Sequence, residues 1–144
     1  MRAFWDASAV VPLCVPQREA SASRRLLKSY PPVVWWGTPV EIASAVVRLW
    51  RSEHLTERQR DAAAQRLTVL RAAWAEVQPT ERVRALAERL LDRHALRAAD
   101  ALQLAAALVW CNERPRGRTF LCRDTRLSDA ARREGFEVVG SRAS

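Results

Sequence analysis

The sequence predicts an α/β fold on a mainly parallel sheet, and three observations carry that expectation. Four short apolar runs, at residues 3–5, 33–36, 119–122 and 136–139, have the length and composition of buried strands. Longer stretches with helical periodicity separate them, and strands interleaved with helices pair in parallel through crossovers. No internal repeat, long linker or low-complexity tract interrupts the alternation. A chain of 144 residues then reads as one domain, 1–144, large enough to bury a core without disulfide staples.

Each element follows in order. Ala3, Phe4 and Trp5 form a strand ending at Asp6, and residues 8–11 turn helical until Pro12 breaks the turn. A helix is expected over 18–29, stopped by Pro31 and Pro32 before the second strand. Gly37, Thr38 and Pro39 open the next helix, with Thr38 as N-cap, Pro39 at the first helical position, and Ile42, Ala45, Val46, Leu49 and Trp50 on its apolar face. Two amphipathic helices, 56–77 and 80–95, are separated by Pro79. Residues 98–113 form a nearly all-apolar helix that belongs at the centre of the fold. The third strand leads to a helix over 128–134, which Gly135 stops ahead of the last strand.

The net charge is +8, and Lys28 is the one lysine among 24 basic residues. Such a field attracts polyanions, RNA or DNA first, although most arginines here alternate with alanine and leucine and form the solvated faces of helices. Cys14, Cys111 and Cys122 are far apart and lie among apolar neighbours, which reads as reduced core cysteines rather than a zinc site. His54 and His94 have no ligand spacing and read as surface or helix-end residues; the six tryptophans read mostly as core. The N-terminal apolar run is too broken for a signal peptide, and the longest apolar stretch is too short for a bilayer, so a cytoplasmic protein without a membrane partner is expected.

Four carboxylates stand in apolar or small-residue surroundings: Asp6, Glu41, Asp100 and Asp124. Burying one alone costs several kcal/mol in practice, so four call for four partners or one shared cation. Oxygen ligands with no histidine beside them point to Mg²⁺ or Mn²⁺. Asp6 and Asp124 follow strands directly, where a parallel sheet places its ligand crevice, and Glu41 opens the helix after the second strand. Each also has a plainer role. Thr38 and Glu41 have capping-box spacing, Asp124 can cap its helix, and Asp6 can sit in an ordinary turn. Asp100, in the apolar helix, is hardest to explain as a cap, with Arg97 the nearest cation. Asp129 is expected to leave the crevice and pair with Arg133.

The segments Asp6-Ala7-Ser8-Ala9, Val40-Glu41-Ile42-Ala43, Arg97-Ala98-Ala99-Asp100-Ala101-Leu102-Gln103 and Cys122-Arg123-Asp124-Thr125 together resemble the PIN-domain nucleases, and especially the small VapC-type toxins of bacterial toxin-antitoxin pairs. The resemblance covers essentially the whole chain, with the Asp100 segment its most specific part. It implies a PIN-like three-layer α/β/α sandwich of four to five strands. It also implies an endoribonuclease dependent on Mg²⁺ or Mn²⁺, with Asp6, Glu41, Asp100 and Asp124 as catalytic and metal-binding set and RNA as substrate. Ser8 and Arg97 are possible supports, and Arg123 and Arg126 possible phosphate contacts. A homodimer and an antitoxin wrapping residues 41–70 are implied as well. Cys122 departs from the family pattern, which often has Thr or Ser two residues before the last Asp. Three other readings compete. A phosphoaspartyl site lacks its Asp-x-Asp pair, a non-catalytic RNA- or partner-binding domain would use the four acids as caps, and a housekeeping PIN ribonuclease would need no antitoxin.

Overall fold

The computed structural model describes residues 1–18 and 20–140. Among these, β1 (Ala3–Trp5), β2 (Pro32–Trp35), β3 (Ala75–Val77), β4 (Thr119–Leu121) and β5 (Glu137–Val139) form one fully parallel sheet in the order β3-β2-β1-β4-β5. The helices are α1 (Ala7–Cys14), α2 (Ala20–Ser29), α3 (Thr38–Arg51), α4 (Glu57–Ala73), α5 (Glu81–Arg93), α6 (Ala98–Trp110) and α7 (Thr125–Glu134).

Strand alternation sends side chains into two cores. Phe4, Val33, Trp35 and Phe120 face α5, α6 and α7, where Val83, Leu86, Leu90, Leu104 and Leu127 are buried. Ala3, Trp5, Val34 and Leu121 face the other way, onto Val10, Ile42, Val46 and Ala63 of α1, α3 and α4. The result is the expected α/β/α sandwich. Helix α6 lies against the sheet because Ala101, Ala105, Ala106 and Ala107 have no exposed surface and allow close approach. Phe4 stacks on Phe120 across β1 and β4 with ring centroids 5.4 Å apart, at the centre of the first core.

Several boundaries differ from the sequence reading, each for a physical reason. The expected helix over 56–77 ends at Ala73, and Ala75 to Val77 form the edge strand β3, paired with β2 from Val33↔Ala75 to Trp35↔Val77. Pro12 lies inside α1 rather than ending it. A proline there forfeits one bond to Ser8, while Val15 still donates to Val11. Gly37, not Thr38, is the N-cap of α3, which moves Pro39 to the second helical position. Helix α6 stops at Trp110, because Asn112 and Glu113 take positive φ and turn the chain. Helix α7 starts at Thr125, three residues early, because Asp124 caps it. Helix α2 is described from Ala20; Glu19, inside the expected range, lies outside the described residues.

Candidate active site

From β1 the chain runs outward through β2 and β3, then returns to the other side of β1 for β4 and β5. The strand order therefore switches between β1 and β4, and an open parallel sheet has its crevice there, beyond the carboxyl ends. Asp6 follows β1, and its backbone N–H donates to the Leu121 carbonyl at the end of β4 (2.9 Å). Its side chain caps α1: Oδ2 accepts from the Ser8 N–H (3.1 Å) and the Ser8 hydroxyl (2.5 Å). The Ser8 oxygen in turn accepts from the Arg123 N–H (2.9 Å), and the Cys122 thiol lies 3.7 Å from the same Asp6 oxygen. Ser8 is thus engaged in orienting Asp6. Burial first, and then the Asp6 charge, push the Cys122 thiol up to about 12, so it stays protonated.

The capping box expected of Thr38 and Glu41 does not form. The Thr38 hydroxyl accepts from Gln103 Nε2 instead (3.0 Å), and Glu41 Oε2 accepts from the same amide. Asp100 sits in the first turn of α6. Asp124 caps α7, its Oδ1 accepting from the Leu127 N–H (2.9 Å). All four carboxylates therefore lie at helix N-termini, where the backbone dipole favours negative charge by about 0.3–1 kcal/mol each. The plain capping roles of Asp6 and Asp124 are real, and each leaves its second oxygen without a hydrogen bond among the described residues.

Glu41, Asp100 and Asp124 line an open cleft of about 630 Å³ together with Arg48, Arg97 and Arg126. Asp6 lies buried near them, 4% exposed. Their electrostatics are shared. Burial pushes Asp6 up to about 6, opposed by the Ser8 hydrogen bonds, with the Asp100 charge adding to the rise. Burial pushes Glu41 up to about 7 against the Gln103 hydrogen bond, and the charges of Asp6 and Asp100 raise it further. Asp100 is raised by burial and then by Asp124, against Arg97 and Arg126.

Sequence reasoning missed Ser44 and Arg48, although their i+3 and i+7 spacing from Glu41 places them on the same face of α3, along the cleft. Arg123 lines a different cavity, with Trp5, Ala9 and Leu26. His94 caps the end of α5 as expected, but it is not a surface residue: its ring is 7% exposed and lies 2.7 Å from Glu134.

The donor set suits a hard divalent cation: carboxylate oxygens alone, with like charges that a cation would relieve. Among the described residues, no three of these side chains close around a single point as they stand. With no cation, the raised carboxylates have a consequence for stability. Between pH 4 and 7 the native state binds more protons at Asp6 and Glu41 than the unfolded chain does, so stability falls as pH rises through that window. In EDTA, the melting temperature is therefore expected to be higher at pH 5 than at pH 7.5. The difference should shrink in Asp6→Asn; an unchanged pH dependence in that variant would remove Asp6 as its source.

The sequence matches the PIN domain family over residues 3–133, and the chain belongs to that family. Among solved structures, PAE2754 from Pyrobaculum aerophilum superposes with a TM-score of 0.66 at 17% identity, over 96% of this chain and 89% of that one. FitAcB from Neisseria gonorrhoeae superposes with a TM-score of 0.62 at 18% identity, over 94% and 95%. A toxin-antitoxin complex from Klebsiella pneumoniae gives a TM-score of 0.56 at 17% identity, over 86% and 88%. At these identities the likeness is one of fold. No curated protein matches in sequence. Among the described residues, no helix is long and apolar enough to cross a membrane.

Proposed function

We propose that this chain is a single PIN domain acting as an endoribonuclease, the toxin of a toxin-antitoxin pair, working in the cytoplasm on RNA phosphodiester bonds. One observation carries the reading: four carboxylates from four helix N-termini share one electrostatic environment at the switch point of the sheet, with three arginines along the same cleft. Asp6, Glu41, Asp100 and Asp124 would hold Mg²⁺ or Mn²⁺, which supplies charge neutralisation at the scissile phosphate and activation of water. Ser8 keeps Asp6 in one orientation. Arg48, Arg97 and Arg126 draw the phosphate backbone to an otherwise acidic cleft. No covalent nucleophile is needed.

The toxin role is supported by the family and by the toxin-antitoxin complex among the similar folds. An antitoxin partner also has apolar surface to cover: Val40 and Val69, within or beside the 41–70 stretch, are each 71% exposed. A homodimer is part of the same proposal.

The test is RNA cleavage by purified protein. Mg²⁺ or Mn²⁺ supports it, EDTA stops it, and metal at 100 times its Kd stabilises the fold by about 2.7 kcal/mol through linkage. Full activity in EDTA would end the metal reading. Expression of active enzyme without growth arrest and without a partner would assign a housekeeping ribonuclease instead.

A further inference from the structure

We infer that Gln103 is a positioning residue of this centre, holding the Glu41 carboxylate in place for a divalent cation from the opposite layer of the sandwich. The inference rests on the proposed metal-dependent reading. Gln103 follows Asp100 by three residues on α6, so one turn of helix carries both. Asp100 reaches the cleft, whereas Gln103 is fully buried and reaches across the carboxyl edge of the sheet to α3.

The hydrogen-bond inventory of this amide is unusual. Nε2 has two hydrogens, and both are used, one on Glu41 Oε2 and one on the buried Thr38 hydroxyl (3.0 Å). Oε1, equally buried, has no partner among the described residues. Buried polar atoms are nearly always paired, so an unpaired carbonyl oxygen calls for a reason. The reason is at the other end of the amide. Turning the group over would set Oε1 against a carboxylate oxygen, acceptor facing acceptor whenever Glu41 is ionised, so the ionised Glu41 that a cation needs is the form this orientation serves. A glutamine that only filled space in this apolar helix would be replaced by Leu with no loss of pairing. What Gln103 adds is a fixed donor on one Glu41 oxygen. It removes the rotamer freedom of that side chain and leaves the second oxygen for a ligand. Outer partners of this kind orient metal-binding carboxylates, and their loss typically lowers metal affinity or activity by about 10–100-fold.

A double-mutant cycle tests this with Mn²⁺ itself, titrated against wild type, Gln103→Leu, Glu41→Gln and the double variant, with free Mn²⁺ read by electron paramagnetic resonance. RNA-cleavage kcat and KM are measured beside it, and melting in EDTA shows that each protein folds. Gln103→Leu is expected to weaken Mn²⁺ binding by about 10-fold or more and to lower kcat with KM nearly unchanged. Glu41→Gln weakens binding further, and the double variant matches Glu41→Gln, because Gln103 acts only through Glu41. Should Gln103→Leu not melt cooperatively, Gln103→Met, unbranched and close in volume, replaces it. A folded Gln103 variant with wild-type Mn²⁺ affinity overturns the inference. So does an equal loss in both backgrounds, which marks a general packing role. Wild-type affinity in Glu41→Gln would instead remove Glu41 from the metal site, a failure of the underlying reading that the cycle reports separately.

Discussion

Asp6→Asn and Asp100→Asn are each expected to lower RNA cleavage by on the order of 10³-fold while the protein stays folded, the loss of several kcal/mol of charge stabilisation in the transition state. At Asp6 the exchange is close to an isolated change of charge. Asparagine has the same shape, and its carbonyl oxygen still accepts from the Ser8 N–H and hydroxyl that now hold Oδ2. The metal-free protein should gain stability from it. Asp6 is 4% exposed and its carboxyl is pushed up to about 6, so above that pH the wild type keeps a buried charge that the variant lacks. The sign is fixed: the folded pKa lies above the unfolded one, so the penalty is present above pH 6 and vanishes as pH falls toward 4. Its size at pH 8 is on the order of 3 kcal/mol. Asp100 shifts in the same direction through burial and Asp124, opposed by Arg97 and Arg126, so its variant should also lose activity without losing the fold. The measurement pairs RNA cleavage in Mn²⁺ with melting in EDTA. Cleavage at the wild-type rate by either variant contradicts the acidic site, and a drop in melting temperature for Asp6→Asn contradicts its electrostatic account.

How much of this was legible in the sequence depends on how local the determining interactions are. The positions of Asp6, directly after β1, and Asp124, three residues past the end of β4, were readable because an apolar run precedes each, and the carboxyl end of a parallel strand borders a crevice by geometry alone. Strand β3 was not. Its three residues continue an alanine-rich helical stretch without a break, and only pairing with β2, some forty residues earlier, makes them extended. The Thr38–Glu41 capping box failed for a related reason. Its spacing is correct, but Gln103, sixty-five residues away, takes the Thr38 hydroxyl and the Glu41 carboxylate together. A local motif offers one hydrogen-bond solution, and a buried amide from another layer offers a better one. Arg48 and Gln103 were within reach of spacing arguments, since each lies on the helical face of a carboxylate already singled out. What spacing could not supply was which face turns toward the cleft and which toward the core.

Asp124 and Asp129 separate the two ends of that argument, and exchanging them should give opposite results. Asp124 lines the cleft, and its charge raises Asp100, while Oδ1 alone is used in capping α7. Asparagine keeps the cap through its carbonyl oxygen and removes the charge. Asp124→Asn should therefore weaken Mn²⁺ binding by about 10-fold or more and abolish cleavage. It should also let Asp100 titrate at lower pH, because a repelling neighbour is gone. Asp129 lies within α7 and is 58% exposed, with its Oδ1 accepting from Arg132 at 3.2 Å. The partner is Arg132 at i+3 rather than the expected Arg133, but the consequence is the same: an exposed pair worth a few tenths of a kcal/mol. Asp129→Asn should keep Mn²⁺ affinity, cleavage and, within about 0.5 kcal/mol, stability. Carboxyl NMR titration of Asp100 gives the two variants a readout independent of catalysis, since only the exchange at Asp124 removes a charge that Asp100 feels. Loss of metal binding in Asp129→Asn, with Asp124→Asn unaffected, would mean that the fourth carboxylate of the site lies on the helix and not at the end of β4.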